Sequence, residues 1–182
     1  VEKKEKTLVF NVIDPIVEEI KKKYSNSNIG VIGTKATISS DIYSEKILQK
    51  NKNQTVNLLA TPLLAPMIEE GFINEEISKK IIQNYLNNPT LKDINSLILA
   101  CTHYPLIQKE IEEFYNNEIN VIDSANIVAK HIKNKLIHLN LLSDTDNSEN
   151  QFFVSNYTKS FEKSAKFFSQ EEIKLTEINL HQ

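Results

Sequence analysis

One thiol stands out among the side chains able to move a proton. Cys101 closes the apolar run 97–100 (LILA) and is followed by Thr102, His103, Tyr104 and Pro105. A cysteine at the mouth of a strand, ahead of a helix opened by Pro105, is expected to have its pKa drawn below about 8.5, because a helix N-terminus stabilises the thiolate. His103, two residues on, can exchange protons with that thiol or with a substrate beside it. The competing reading is an inert core cysteine next to a structural histidine, since cysteines are often buried. Two more strand ends carry hydroxyls, in Gly33-Thr34-Lys35-Ala36-Thr37 and in Thr61-Pro62. Each threonine taken alone reads equally well as a helix cap. Three such loops at neighbouring strand ends point to a pocket for a small carboxylate.

The elements that must position these residues alternate strand and helix. Strands are expected at 8–13 (LVFNVI), 29–33, 55–60, 95–100, 119–122 and 151–155, from their β-branched apolar runs. The tail 173–180 alternates as an edge strand does. Asp14-Pro15 is expected to cap and open a helix to Tyr24, and Ser39, Ser40 or Asp41 to cap one carrying Ile42, Ile47 and Leu48. Further helices are expected from Pro62 to Glu70, closed by Gly71, over 75–87 with Ile77, Ile81, Ile82 and Tyr85 on one face, from Pro105 to Tyr115, from Asp123-Ser124 to Leu139, and over 158–168. The polar stretch 143–150 reads as a surface loop. Repeated β-loop-α units predict an α/β fold with a parallel, doubly wound sheet, whose ligands lie at the carboxyl ends of the strands.

Composition removes several function classes. The chain has 182 residues, 40% hydrophobic and 25% charged, as a folded globular chain does. Its apolar runs fall far short of the roughly 20 residues of a membrane span, and no basic segment followed by an apolar one marks a secretory signal. One cysteine excludes a disulfide framework and a cysteine-rich zinc site, and fits a reducing cytoplasm. All 21 basic residues are lysine and the net charge is −3, so the usual bidentate reader of phosphate and guanine is missing and nucleic acid is not an expected partner. The four histidines, at 103, 131, 138 and 181, show no metal-ligand cluster. His131 and His138, seven apart on one charged helix, read as exposed, and the lysine run 21–23 as a solvated helix end.

The stretch LILACTHYPLI (97–107) resembles the second catalytic-cysteine motif of bacterial glutamate racemases, in the aspartate/glutamate racemase superfamily. VFNVIDP (9–15), IGVIGTKATISSDIY (29–43), TPLLAPMIEEG (61–71), VIDSA (121–125) and the final FFVSNYTKSFEKSAKFF follow in the same order. The resemblance implies a cofactor-independent isomerase that converts L-glutamate to D-glutamate for peptidoglycan synthesis, hence for cell-wall biogenesis and cell shape. Two cysteines would flank the substrate's α-carbon, one removing the proton and the other returning it to the opposite face. By position, Cys101 is one of them, Thr102, His103, Thr34 and Thr37 are substrate contacts, and Glu69 orients His103, which tunes the proton transfers. The resemblance also implies two pseudo-symmetric α/β domains, with residues 14–121 forming one complete domain and 1–13 and 122–182 parts of the other. The family often forms dimers, which leaves a homodimer open.

The family's first cysteine lies in an ACNT-like segment upstream of VFNVIDP, together with an aspartate–serine pair, and residues 1–8 contain neither. The chain opens at Val1 in a charged run and its one methionine is Met67, so a missing amino-terminal part is expected. The 182 residues alone are then expected to be inactive as a racemase. Two alternatives stand beside that reading: an aspartate racemase or other superfamily member, and a catalytically incomplete module that only binds dicarboxylic amino acids.

Overall fold

Four apolar runs supply one sheet: β1 (Asn28–Gly33), β2 (Thr55–Ala60), β3 (Ser96–Leu99) and β4 (Asn120–Asp123). The strand order is β2-β1-β3-β4 and every pair is parallel. The computed structural model describes residues 8–73, 75–143, 150–159, 161–162, 165–166 and 173–179. Residues in a strand alternate faces, and a parallel sheet is covered on both. Ile29, Val31, Ile98 and Ile122 therefore pack with Ile16, Val17 and Ile20 of α1 (Asp14–Lys23) and Tyr43 and Ile47 of α3 (Ile42–Lys50). Ile32, Leu97 and Leu99 face the other way, toward α4 (Leu64–Glu69), α5 (Glu76–Leu86) and α6 (Gln108–Phe114). Each fully buried aliphatic side chain contributes about 1.5–3 kcal/mol relative to exposure. The two clusters thus clamp the sheet from both sides, which is the doubly wound α/β arrangement expected from the alternating pattern.

The last long helix, α7 (Ser124–His138), packs against α1. Its N-cap is Asp123, whose carboxylate accepts the Ala125 N–H at 2.8 Å. Downstream, β5 (Phe152–Val154) and β6 (Leu175–Glu177) pair parallel as a separate two-stranded sheet, at the places where strands were expected. The expected helix 158–168 falls partly outside the described residues, and of the expected loop 143–150, residues 144–149 do.

Several expectations are corrected. Residues 8–13 form no strand, and Leu8, Val9 and Val12 are 41%, 40% and 56% exposed. β-branched content favours a strand only where a neighbour offers a hydrogen-bonding edge, and no described strand pairs with this run. Asn11 turns the chain instead: its Oδ1 accepts the N–H groups of Ile13 at 3.1 Å and Asp14 at 2.8 Å. Asp14 is thus the first helical residue rather than the cap. Its carboxylate pairs with Lys46 and accepts from Asn11, which together hold it below the usual carboxylate range. Of the three residues expected to cap α3, Asp41 makes no side-chain cap and has a left-handed backbone, while the Ser40 hydroxyl accepts the Ile42 N–H at 3.5 Å. Ile77, expected on the buried face of α5, is 64% exposed; Ile82 and Leu86 carry that face.

Gly71 ends α4 with φ +79°, and nothing lies within 4 Å of where a Cβ would stand. The cost of a side chain here is therefore backbone strain alone. Gly71→Ala is expected to lower stability by about 1–2 kcal/mol, read as a lower urea midpoint at unchanged slope. An unchanged midpoint would mean that this turn relaxes to negative φ without cost.

Candidate functional site

The crossover from β1 runs to β2 on one side, and the next one returns across β1 to β3. The loops leaving the carboxyl ends of β1 and β3 therefore diverge, and this switch point is where open α/β sheets hold their ligands. After β1, Thr34 caps a short helix α2 (Lys35–Ser39), accepting the Thr37 N–H at 3.3 Å. The hydroxyls of Thr34 and Thr37 lie 3.0 Å apart. No helix is expected over 35–39 from the sequence, although a threonine at a strand end is a good N-cap residue. Gly33 makes the approach feasible: a Cβ there would stand 3.3 Å from the Thr37 side chain and 3.4 Å from the Ala100 carbonyl. The β1 and β3 ends are neighbours in the sheet, so the Thr34–Thr37 turn and the turn opened by Cys101 stand on either side of the crevice that this strand order implies.

After β3 the chain folds back tightly. Cys101 is half-buried, with Sγ 3.6 Å from His103 Nδ1, and Thr102 Oγ1 is 3.5 Å from that same nitrogen. On the other side of the ring, His103 Nε2 lies 3.0 Å from Oε1 of Glu69, the last residue of α4. A carboxylate accepts only, so it selects the tautomer with the proton on Nε2. The lone pair of a neutral His103 then faces the thiol and the Thr102 hydroxyl. Cys101, Thr102, His103 and Glu69 thus form one contact chain, with Thr34 and Thr37 on the adjoining strand end.

Two expectations about the site do not hold. The thiol is not drawn down: burial pushes it up, the His103 and Tyr104 N–H groups pull the other way, the Glu69 carboxylate adds to the upward push, and the net direction is up. The physical reason is local geometry. The chain after Cys101 enters a 3-10 turn (Tyr104–Ile107) before α6 begins, so no α-helix N-terminus is aimed at the sulfur. Such a thiol is a proton donor near neutrality, and its thiolate is a correspondingly stronger base. Thr61, in turn, is not part of a carboxylate cradle. It is fully buried, donates its hydroxyl to the Gly33 carbonyl at 3.2 Å, and lies 2.7 Å from the Tyr104 hydroxyl.

Ser124, at the start of α7, donates to the Leu99 carbonyl at 3.0 Å and ties that helix to the end of β3. Among the described residues, no group of three or more His, Cys, Asp or Glu converges as a metal site, and no helix is long and apolar enough to cross a membrane. The arrangement is suited to proton transfer: a thiol and an imidazole in contact, the imidazole oriented by a carboxylate, beside paired hydroxyls.

The chain is similar to known proteins along most of its length. The chain is 35% identical over 173 residues to glutamate racemase 3 of Caldanaerobacter subterraneus subsp. tengcongensis, covering 94% of this chain and 64% of that protein. It is 37% identical over 172 residues to the glutamate racemase of Persephonella marina, again covering 94% and 64%. The crystal structure of the Francisella tularensis glutamate racemase in complex with D-glutamate superposes with a TM-score of 0.84 at 33% identity, over 93% of this chain and 63% of that one. The chain thus spans about 64% of the length of these curated relatives. The sequence model for Asp/Glu/Hydantoin racemases matches residues 3–132, the stretch that holds β1–β4 and every residue of the crevice, and on that match this chain belongs to the Asp/Glu/Hydantoin racemase family.

Proposed function

We propose that this chain carries part of a cofactor-independent glutamate racemase, with Cys101 as a proton-transfer group. The observation that carries the proposal is the Cys101–His103–Glu69 contact chain at the mouth of the β1/β3 crevice. In one direction the Cys101 thiolate takes the α-proton of glutamate, and the electron pair of the C–H bond spreads into the substrate carboxylate. The paired Thr34 and Thr37 hydroxyls and Thr102 hold that carboxylate and stabilise the charge as it develops. A second acid then delivers a proton to the opposite face. In the reverse direction the Cys101 thiol is the acid. The names of the curated relatives, and the D-glutamate in the Francisella structure, favour glutamate over aspartate.

Inversion needs a donor and an acceptor on opposite faces, because a single group returns the proton to the side it came from. Cys101 is the only thiol in the 182 residues, so the second acid/base of a two-cysteine mechanism comes from outside them. The same reading makes residues 14–121 one domain and 1–13 and 122–182 parts of another, and places the enzyme in the cytoplasm, supplying D-glutamate for peptidoglycan. The test is L-glutamate in deuterated buffer, followed by proton NMR for α-deuteration and by chiral chromatography for D-glutamate. The 182-residue chain is expected to give no D-glutamate at an enzymic rate. Joined to a family segment that supplies the second cysteine, it is expected to deuterate and invert the substrate. Unaided inversion by the 182 residues would sink the two-thiol reading, and faster turnover of L-aspartate in the joined protein would sink the glutamate assignment.

A further inference from the structure

The two turns that flank the crevice leave different strands, and a buried polar chain connects them. Tyr104 is fully buried in the apolar cluster under α4, α5 and α6, yet it carries a hydroxyl. That hydroxyl lies 2.7 Å from Thr61 Oγ1 and donates toward the Thr61 carbonyl at 3.2 Å. Thr61 donates its own hydroxyl proton to the Gly33 carbonyl at 3.2 Å, while its N–H reaches the same oxygen at 2.8 Å. With the threonine proton committed to Gly33, the tyrosine proton is left to the Thr61 oxygens. The chain therefore runs Tyr104 to Thr61 to Gly33. Gly33 immediately precedes Thr34, and the Tyr104 N–H closes the Cys101 turn on the Cys101 carbonyl at 3.2 Å.

A phenylalanine at 104 would fill the same apolar space. Buried hydroxyls that only satisfy one another add little net stability, because both lose their hydrogen bonds to water. What they add is direction: each has few partners within reach, so the groups at the two ends are fixed relative to each other. We propose that Tyr104 and Thr61 are positioning residues whose buried hydroxyl pair holds the Cys101–His103 turn in register with the Thr34–Thr37 turn, and so fixes the hydrogen-bond donors around the sulfur. The proposal deepens the reading of Cys101 as a proton-transfer group and rests on it for its functional meaning, but its test does not need substrate.

Among the described residues, the groups that bear on the thiol are His103 on its own turn, Glu69 from α4, and Tyr104, whose phenol burial pushes up to about 12; Tyr85 of α5 acts on Tyr104 in turn. Tyr104 is therefore neutral near neutral pH. Because Cys101 is the only cysteine, the rate of iodoacetamide alkylation against pH reports on it alone. Tyr104→Phe releases the ring from Thr61 and lets the Tyr104 N–H drift from the sulfur. The alkylation midpoint is expected to rise by roughly 0.5–1 pH unit, slowing alkylation at neutral pH about three- to tenfold. Thr61→Val is expected to shift the midpoint the same way, and Thr61→Ser, which keeps the hydroxyl, to restore the wild-type profile. Profiles of Tyr104→Phe and Thr61→Val that superimpose on wild type, whatever their melting temperatures, would overturn the proposal. So would a Thr61→Ser profile shifted as far as that of Thr61→Val, since packing rather than the hydroxyl would then be responsible. If Tyr104→Phe does not fold, the two Thr61 variants decide. The deuterium-exchange experiment tests the glutamate reading separately, so either can fail without the other.

Discussion

Cys101→Ala, in a protein that also carries the second acid/base, is expected to slow exchange of the glutamate α-proton by roughly 10²–10⁴-fold or more, the usual contribution of a positioned acid or base. The loss should be face-specific: the enantiomer whose proton faces Cys101 stops exchanging, while the other retains washout through the second group. Cys101→Ser is expected to be as poor as alanine, because a hydroxyl of similar size is far less acidic than a thiol. That comparison separates proton transfer from packing. The pH dependence follows from the upward direction of the thiol's pKa. The thiolate fraction grows with pH, so the proton-abstraction limb should climb through the alkaline range rather than level off near neutrality. Stability runs the opposite way. A raised folded-state pKa favours the protonated fold, so this contribution is present below the ordinary thiol pKa and is lost as pH rises through the folded value. Full exchange in both directions by Cys101→Ala would remove this residue from the chemistry.

Much of the sheet was legible because its signal is local. The runs around Ile29 and Ile98 are apolar, flanked by turn residues and buried on both faces, and the run around Leu58 is a half-buried apolar run at the sheet edge, so composition and length alone predict strands. The run 8–13 has the same composition but no partner edge among the described strands, and pairing is not a property of the run itself. The contact between Cys101 and His103 could be anticipated from their spacing. The direction of the thiol's pKa could not, because it depends on whether the turn at Pro105 is α or 3-10 and on how deeply the sulfur is buried. Thr61 shows the same limit. A threonine at a strand end reads as a ligand group or a structural anchor until its burial is known, and the Tyr104 hydroxyl that decides the matter lies 43 residues away.

His103 and Glu69 are expected to behave as one unit in rate and as almost nothing in stability. Glu69 meets His103 at Nε2, on the ring edge away from the thiol, so it is a positioning residue that acts through the imidazole. His103→Asn keeps a polar group near the sulfur but is too short to reach Glu69. It should lower turnover about 10²-fold or more with little change in KM, because the lost interaction is made as the proton moves. Glu69→Gln keeps the shape and removes the charge, so it should cost less than His103→Asn. The double variant should be barely slower than His103→Asn alone, since a positioning group has nothing left to position. The side chains are 26% and 54% exposed, and partly exposed pairs contribute only about 0–1 kcal/mol, so melting temperatures should stay close to wild type. The thiol supplies an independent sign. The Glu69 charge pushes Cys101 upward, so Glu69→Gln should lower the alkylation midpoint, opposite in direction to Tyr104→Phe. Additive rate losses, or a midpoint that rises in Glu69→Gln, would mean that the carboxylate does not act on the thiol and imidazole in this way.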